Sequence, residues 1–540
     1  MRAALIYLIS ILVLLLCCPM LLCILYSVID QPNWCLSSDL LAFASTIFFG
    51  GVLGYVGYTR SQSEGVNTEI RPTDAFLIVT LTWFISGIFG ALPYYLYGWF
   101  EWAGFDEGPK TRAVILGAEF MSFTNAFFES MSGFTTTGAT IIEKGLWHSY
   151  VDGVGYLEDG SIALPRSIML WRCVTHLLGG MGIVVLGVAI LPVLGVGGMQ
   201  LYHAEVPGPM NDRFTPRVGE GAKILWKIYA WITLVLALLY WAFGMDHFEA
   251  ICHSMSTMAT GGFSTRAQSI AAFSNPGIEW CTIVFMLIAG VNFTLYSLLG
   301  AQWRSPRQMI QTLRQNAEFL VYLGIIVLCS VGIAFSLSTH PELPGADAPF
   351  RAASFQTLSI LTTTGYASAD FEQWTVAPFA IALLMLLMFV GGCAGSTGGG
   401  VKVIRHLLVF RLCFREFFFL LHPKGKKSVR SDGEIVTSNT LRAIIGFIGL
   451  YVLLMILGTL YFALEGQDIL TAFTVTAASL GNIGPGLGEV GPTDDFSGIS
   501  ALGKWVSASL MLMGRLEILT VMILFTPAYW RHWSLTRSAT

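Results

Sequence analysis

Residues 126–140 read AFFESMSGFTTTGAT, and the same outline returns three times, as FEAICHSMSTMATGGF at 248–263, FQTLSILTTTGYA at 355–367 and FTVTAASLGNIGPG at 473–486. Each stretch is too apolar for a solvated loop and too short to cross a bilayer, which takes roughly 20 residues. Each reads as a short helix running into a glycine-bearing turn. The marking glycines, Gly138, Gly261, Gly365 and Gly484, stand 123, 104 and 119 residues apart. One Thr-Gly cluster alone is an ordinary turn. Four in register between paired apolar runs are a structural repeat.

Working outward from these loops, the rest of the chain asks for a bilayer. Of its 540 residues 54% are hydrophobic and only 12% charged, and the mean hydropathy is +0.66; soluble chains carry about a quarter charged residues. Apolar runs near 3–28, 38–58, 74–98, 166–192, 224–244, 279–300, 317–338, 376–410, 440–463 and 502–528 predict about ten transmembrane helices in an all-α integral membrane protein. The repeated unit is helix, pore loop, helix. Two N-terminal helices (1–70) precede four such repeats around one pore, at 71–200, 201–305, 306–425 with a broken second helix, and 426–540. The first run ends at Asp30-Gln31-Pro32 with no small-residue cleavage site. It is longer than the roughly 7–15-residue core of a signal peptide, so a retained helix is expected.

Ten crossings put both termini on one side. With Arg2 inside, inner segments hold 21 of the 30 Lys and Arg residues and outer segments seven, while 23 of the 34 Asp and Glu residues fall outside. The positive-inside rule then makes both termini cytoplasmic. Segment 402–442 is the most basic inner stretch, with nine Lys and Arg residues. The net charge of −4 says little once the two signs are sorted, and no broad basic surface suggests nucleic acid. The ten cysteines sit mostly in apolar runs without CxxC or Cys/His spacing, so they read as small buried residues.

The loops suit a cation. Irregular backbone at membrane depth is tolerated where it lines a cavity or is buried in protein. An ion crossing there exchanges its water for protein oxygens, which rings of carbonyls supply. Glycine permits the dihedrals that turn successive carbonyls toward an axis. Thr136 and Thr137, Thr260, and Thr363 and Thr364 fit an oxygen-rich turn, with Asn482 and Ile483 in their place in the fourth loop. Each half-helix also aims the negative end of its dipole at the centre.

These residues resemble the Trk, Ktr and HKT superfamily of cation transporters, and most closely its TrkH branch, over nearly the whole chain. Supporting motifs are SGFTTTG at 132–138, HLLGGMGI at 176–183, LPVLGVGGMQ at 191–200, GGCAGSTGGG at 391–400 and GRLE at 514–517. The resemblance implies potassium uptake across a bacterial inner membrane through a filter with one contribution per repeat, from Gly138, Gly261, Gly365 and Gly484. Glycine at all four positions goes with potassium selectivity in this superfamily, whereas serine in the first loop occurs in sodium-selective relatives. It further implies a homodimer with one pore per protomer and a cytosolic ring of TrkA-type nucleotide-binding subunits. Potassium is then cargo, this chain binds no organic cofactor, and it is not an enzyme. Membrane lipid is its other partner, and segment 402–430 a candidate docking surface for the ring.

Two further features concern control. Gly391, Gly392, Gly395, Gly398, Gly399 and Gly400 should break the run at 376–410 into halves. The run lacks the GxxxxGK[ST] spacing of a phosphate loop, and broken membrane helices line transport sites. By resemblance it is an intramembrane gating loop beneath the filter; otherwise it is a kinked structural helix. Arg515 sits inside the last span, where a charge is costly and commonly faces a pore or a partner. Below a filter it would repel cations until a gate rearranges; otherwise it pairs structurally. Arg172 and His176, four apart on one helix face, are read as packing or hydrogen bonding to pore helices. Glu129 and Glu249 either brace loops or concentrate cations, and His253 is structural.

Two other classes compete. A sodium-permeable or proton- or sodium-coupled symporter would want a titratable carboxylate at midplane, and none is evident. A membrane enzyme would want HExxH, GxSxG or paired intramembrane carboxylates, which do not occur.

Overall fold

The computed structural model describes residues 2–30, 37–63, 72–103, 119–142, 164–189, 218–302 and 304–531; the motif at 191–200 lies outside them. Six helices among these are long and apolar enough to cross a membrane: α1 (Arg2–Asp30), α2 (Ser38–Ser63), α3 (Pro72–Trp102), α6 (Val218–Ala242), α11 (Ala317–Ser338) and α15 (Ser438–Leu464). Their large apolar side chains point outward, as with Leu328 at 75% exposure, because a lipid-facing surface needs no polar cover. Helix α5 (Arg166–Ala189) falls in the apolar run at 166–192 that follows the first loop.

Between paired spans stand four short helices: α4 (Phe123–Phe134), α7 (His247–Met258), α12 (Pro349–Leu361) and α16 (Ile469–Gly481). The residues that start two of them are caps in the ordinary sense. Asp246 accepts from the Phe248 amide, and Asp468 from those of Leu470 and Thr471. Each half-helix packs on spans of its own repeat. Helix α7 also packs on α5, α12 on α8 (Pro276–Ala289) and α4 on α17 (Ala501–Arg515), so neighbouring repeats interlock and the last returns to the first. Helices α1 and α2 pair with each other and lie against α3 and α5, outside the ring.

The second spans of repeats two and four depart from expectation. Continuous helices were expected at 279–300 and 502–528. Instead α8 meets α9 (Phe293–Ala301) at 91°, and α17 meets the short helical run Leu519–Phe525 at 110°. The first break is a capped one: Gly290 ends α8, and the Asn292 side chain accepts from the Thr294 amide to start α9. The second occurs where Glu517 adopts φ +60 and Ile518 φ +7. The third-repeat break was expected and is wide, with α13 (Pro378–Leu387) and α14 (Val403–Leu421) separated by the glycine-rich segment. A two-stranded hairpin, β1 (Arg430–Ser431) with β2 (Glu434–Ile435), joins repeats three and four.

Candidate ion pathway

The four half-helices end identically. The residue after the helix cap has left-handed dihedrals, Thr136 at φ +50, Thr260 at +54, Thr363 at +60 and Asn482 at +54. Its amide binds the carbonyl three residues back, and the next amide reaches five back. The distances are 3.0 and 2.9 Å in the first turn, 3.0 and 2.9 Å in the second, 3.1 and 2.8 Å in the third, and 3.3 and 2.9 Å in the fourth. This is the Schellman arrangement, which satisfies the last carbonyls of a helix and normally recruits glycine at the left-handed position. Threonine is β-branched and costs on the order of 1–3 kcal/mol there. Three strained threonines at equivalent positions mark a place where the surroundings overrule local preference.

This geometry corrects the register of the second loop. Two residues past each left-handed position lies another positive φ, at Gly138 (+81), Gly262 (+81), Gly365 (+78) and Gly484 (+100). Gly262, not Gly261, is thus the counterpart of the other three; Gly261 aligns with Thr137, Thr364 and Ile483. The four glycines close a ring. A Cβ added to Gly138 would meet the Gly261 carbonyl oxygen at 2.0 Å, one on Gly262 that of Thr364 at 2.1 Å, one on Gly365 that of Ile483 at 2.0 Å, and one on Gly484 that of Thr137 at 2.6 Å. Each repeat thus presses a carbonyl on its neighbour's glycine. Gly261 has a separate reason to lack a side chain: its Cβ would fall 2.4 Å from the His176 imidazole. That ring is stacked on Phe263 and bonded through Nδ1 to the Ser256 hydroxyl at 2.9 Å. A cavity of about 80 Å³ opens over Gly138, Gly262, Gly365 and Gly484, with Arg172, Arg266 and Asp494 on its walls.

The hydroxyls divide. Those of Thr137 and Thr364 turn back to Thr135 and Thr362 at 2.8 Å. Asn482 Nδ2 donates to Thr137 Oγ1 at 3.1 Å. The buried hydroxyls of Thr136 and Ser396 and the Asn482 Oδ1 have no hydrogen-bond partner among the described residues. Waters or a partly hydrated cation would satisfy such groups.

Of the two roles the sequence allows Glu129 and Glu249, bracing loops or concentrating cations, the contacts behind the turns favour bracing, and Gln356 and Thr474 join them unannounced by the sequence. The amide three residues beyond the ring glycine is held by a half-helix side chain in two repeats, Ile141 by Glu129 (3.0 Å) and Leu487 by Thr474 (3.1 Å). In a third, the Ser368 amide reaches Gln356 (3.0 Å) when that side-chain amide is turned over to place its oxygen toward it. In the second repeat His253 Nε2 bonds Ser264 Oγ at 2.9 Å. Glu129 also pairs with Arg172 at 2.7 Å, both fully enclosed, and Arg172 lies 4.1 Å from the Phe263 ring centroid. Glu249 pairs with Arg266 at 2.5 Å. Both carboxylates are therefore engaged in positioning the loops. Their spacing from the glycines, nine and thirteen residues, was visible, but their partners were not.

Beneath the ring, the glycine-rich segment fills the axis. The Gly399 amide donates to Thr363 Oγ1 at 2.7 Å, and Thr397 Oγ1 donates to the Met258 carbonyl at 3.0 Å. Gly391 pairs with Val401 at 2.8 Å, so the ends of the segment meet. Gly395 and Gly400 have φ +69 and +64. Space is as restrictive as conformation: Cβ atoms on Gly398 and Gly399 would strike the Thr362 and Gly481 carbonyls, one on Gly391 that of Gly399, and one on Gly392 that of Gly290. Arg515, 2% exposed, spans the segment from the fourth repeat, donating to the Thr397 carbonyl at 2.6 Å and to Gly179 of α5 at 3.1 Å. It does not pair with Glu517, whose carboxylate meets Arg405 instead.

At the opposite mouth, outside the spans, the Glu372 and Asp494 carboxyl groups meet beside Gly491. Glu372 accepts from the Gly488 amide at 3.1 Å. Burial first, then the Asp494 charge, push the Glu372 carboxyl up to about 6, with Asp370 adding to the rise and the Gly488 bond opposing it.

Four pseudo-equivalent re-entrant turns around one axis, plugged from below by a broken helix, define a multi-pass membrane protein of the cation-transporting kind. Residues 100–325 and 342–532 match the TrkH family, described as cation transport protein, and the chain belongs to that family. It is a family of transporters, not of enzymes. Among its relatives, the Trk system potassium uptake protein TrkH of Escherichia coli strain K12 is 38% identical over 502 residues, 91% of this chain and 92% of that one. TrkH of Halomonas elongata is 40% identical over 492 residues, 90% and 92% of the two chains. The crystal structure of the potassium transporter TrkH from Vibrio parahaemolyticus superimposes with a TM-score of 0.80 at 35% identity, covering 98% of this chain and 99% of that one.

Two outcomes test this geometry. Gly261→Ala should abolish cation flux in proteoliposomes, because the methyl drives into the imidazole; pairing it with His176→Ala should restore part of the flux. Equal loss in the single and double variants would show that the contact does not matter. Above about pH 6 the Glu372 carboxylate is charged, and below it is protonated and neutral. Uptake at subsaturating cation should therefore rise as pH on the mouth side climbs through about 6, and Glu372→Gln should flatten that rise.

Proposed function

We propose that this chain is the pore-forming subunit of a potassium-uptake system in a bacterial inner membrane, with both termini cytoplasmic. The observation that carries this reading is the closed ring in which each of four turns presses a carbonyl on the preceding repeat's glycine, the first on the fourth's. Such a ring can replace the hydration shell of a cation with backbone oxygens. The filter consists of the turns at Thr136–Gly138, Thr260–Gly262, Thr363–Gly365 and Asn482–Gly484. Glycine in all four ring positions and the potassium named in the relatives' titles favour potassium over sodium.

Control resides in the segment from Gly391 to Gly400 together with Arg515. The segment lies on the axis below the ring, bonded to Thr363 and Met258, and an ion leaving the filter meets it first. Arg515 adds a fixed positive charge in a low-dielectric site, where cation repulsion is strong. The repeats divide at 71–200, 201–305, 306–425 and 426–540. Two copies form a dimer with separate pores, and a TrkA-type ring acts from the cytosolic side near segment 402–430; both assignments rest on the family resemblance.

Gly138→Ser should weaken discrimination against sodium, since its side chain must displace the Gly261 carbonyl. Competing rubidium and sodium fluxes measure this, and an unchanged ratio would argue that the ring is not the filter. Arg515→Gln should raise basal potassium flux several-fold without the partner ring. Flux at the wild-type level, in protein shown to be folded, would return Arg515 to a structural role.

A further inference from the structure

The ends of the intramembrane segment are held by one buried carboxylate on a different helix. Glu318, 2% exposed in the first turn of α11, accepts through a single oxygen from the amides of Ala394 at 2.7 Å and Ile404 at 3.2 Å. Ala394 lies within the segment and Ile404 just beyond it, so one atom fixes both limbs. The neighbouring residue is tied elsewhere. The Ala317 amide donates to Asp432 Oδ1 at 2.8 Å, and Asp432 is at the tip of the β1–β2 hairpin.

That hairpin is a stiff element. Its two-residue loop, Asp432-Gly433, has φ +48 and +90, the signature of the tight turn that matches strand twist. Val436 bonds back to Val429 at 2.9 Å. Those two valines belong to an apolar cluster distinct from the main core, together with Ala394, Ile404, Leu408 and Leu441. Hairpin and segment therefore share both a polar relay and a small packed unit.

We infer that the hairpin is a handle for the intramembrane segment, and that Glu318 is the positioning residue that transmits its displacement through Asp432, Ala317 and the two loop amides. A force that lifts the hairpin from α11 uncaps the helix end at Ala317 and shifts the carboxylate that pins Ala394 and Ile404. The exposed Lys424, Lys426 and Lys427 beside the hairpin give an acidic partner surface something to hold. This inference rests on the proposal that the segment gates the pore only for its consequence in flux; the mechanical link is separately measurable.

Cys393, 1% exposed, reports the position of the segment when it is the sole cysteine of the full-length chain in proteoliposomes. Asp432→Gly keeps the turn but removes the cap, whereas Asp432→Asn keeps both the turn and an acceptor oxygen. Labelling of Cys393 by a water-soluble thiol reagent should quicken about fivefold in Asp432→Gly, the scale of one lost cap, and stay near wild type in Asp432→Asn. Glu318→Ala should match the former and Glu318→Gln the latter. Unchanged labelling in Asp432→Gly overturns the relay, whatever Glu318→Ala does. If Glu318→Ala fails to fold, the Asp432 pair still decides. Faster labelling with unaltered basal flux upholds the relay and removes the gate reading instead.

Discussion

Backbone amides and carbonyls at membrane depth have no bulk water to fall back on, so each irregular turn must find its partners inside the protein. Four half-helices stop within the bilayer and therefore face this demand four times. All four meet it with the same pair of amide bonds, three and five residues back. That solution dictates a left-handed residue, and the left-handed residue sends the chain back across the axis. There it meets the carbonyl of the next repeat at a separation that admits only glycine. Hydrogen-bond satisfaction, left-handed dihedrals, ring glycines and close approach are linked steps of one constraint. The braces from Glu129, His253, Gln356 and Thr474 complete it by fixing the chain on its way out.

The same constraint governs the region below the ring. Three second spans break there, freeing backbone groups that an intact helix would consume. These groups pair with one another across repeats: the Gly290 carbonyl accepts from the Cys393 amide, the Gly395 carbonyl from the Phe293 amide, and the Thr397 carbonyl from Arg515. Helix α5 of the first repeat runs on unbroken past Gly179, whose carbonyl takes the other arm of Arg515. Losing the third-repeat break would leave donors on the other two, the Phe293 amide and Arg515, without partners, at about 1–3 kcal/mol each. The breaks and the glycine-rich segment stabilise each other as a set.

Period and composition made the loops legible, because half-helices need apolar residues and turns need glycine, and both are local demands. The wide break at 391–400 was legible for the same reason. Adjacent glycines at 261 and 262 hid the register, since only dihedrals separate a glycine that supplies a positive φ from one crowded by His176. The breaks at Gly290–Asn292 and Arg515–Glu517 carry one glycine or none at the bend, so hydropathy ran straight through them. What bends these helices is capping and long-range pairing. The alternative role for Arg515 was a structural pair, and its partners, like that of Glu517, lie 110 or more residues away in sequence, where no local pattern shows them.

A ring made from one chain also has a seam. Repeats one to four are joined by sequence, but four must meet one across about 345 residues, with no covalent connection to hold it there. The seam is stitched by side chains outside the turns as well as within them. Asn482 reaches Thr137, the Phe496 amide donates to the Thr140 carbonyl at 2.8 Å, and Lys504 Nζ donates to Asn125 at 2.9 Å. Trp505 stacks on Phe127 at 4.4 Å between centroids while its indole N–H donates to Thr124 at 3.1 Å. Asn482 also donates to the Met511 carbonyl at 2.9 Å. Asparagine tolerates the left-handed turn that strains threonine, and its amide reaches where a hydroxyl would not. The fourth loop departs from Thr-Thr-Gly where its turn must also close the ring.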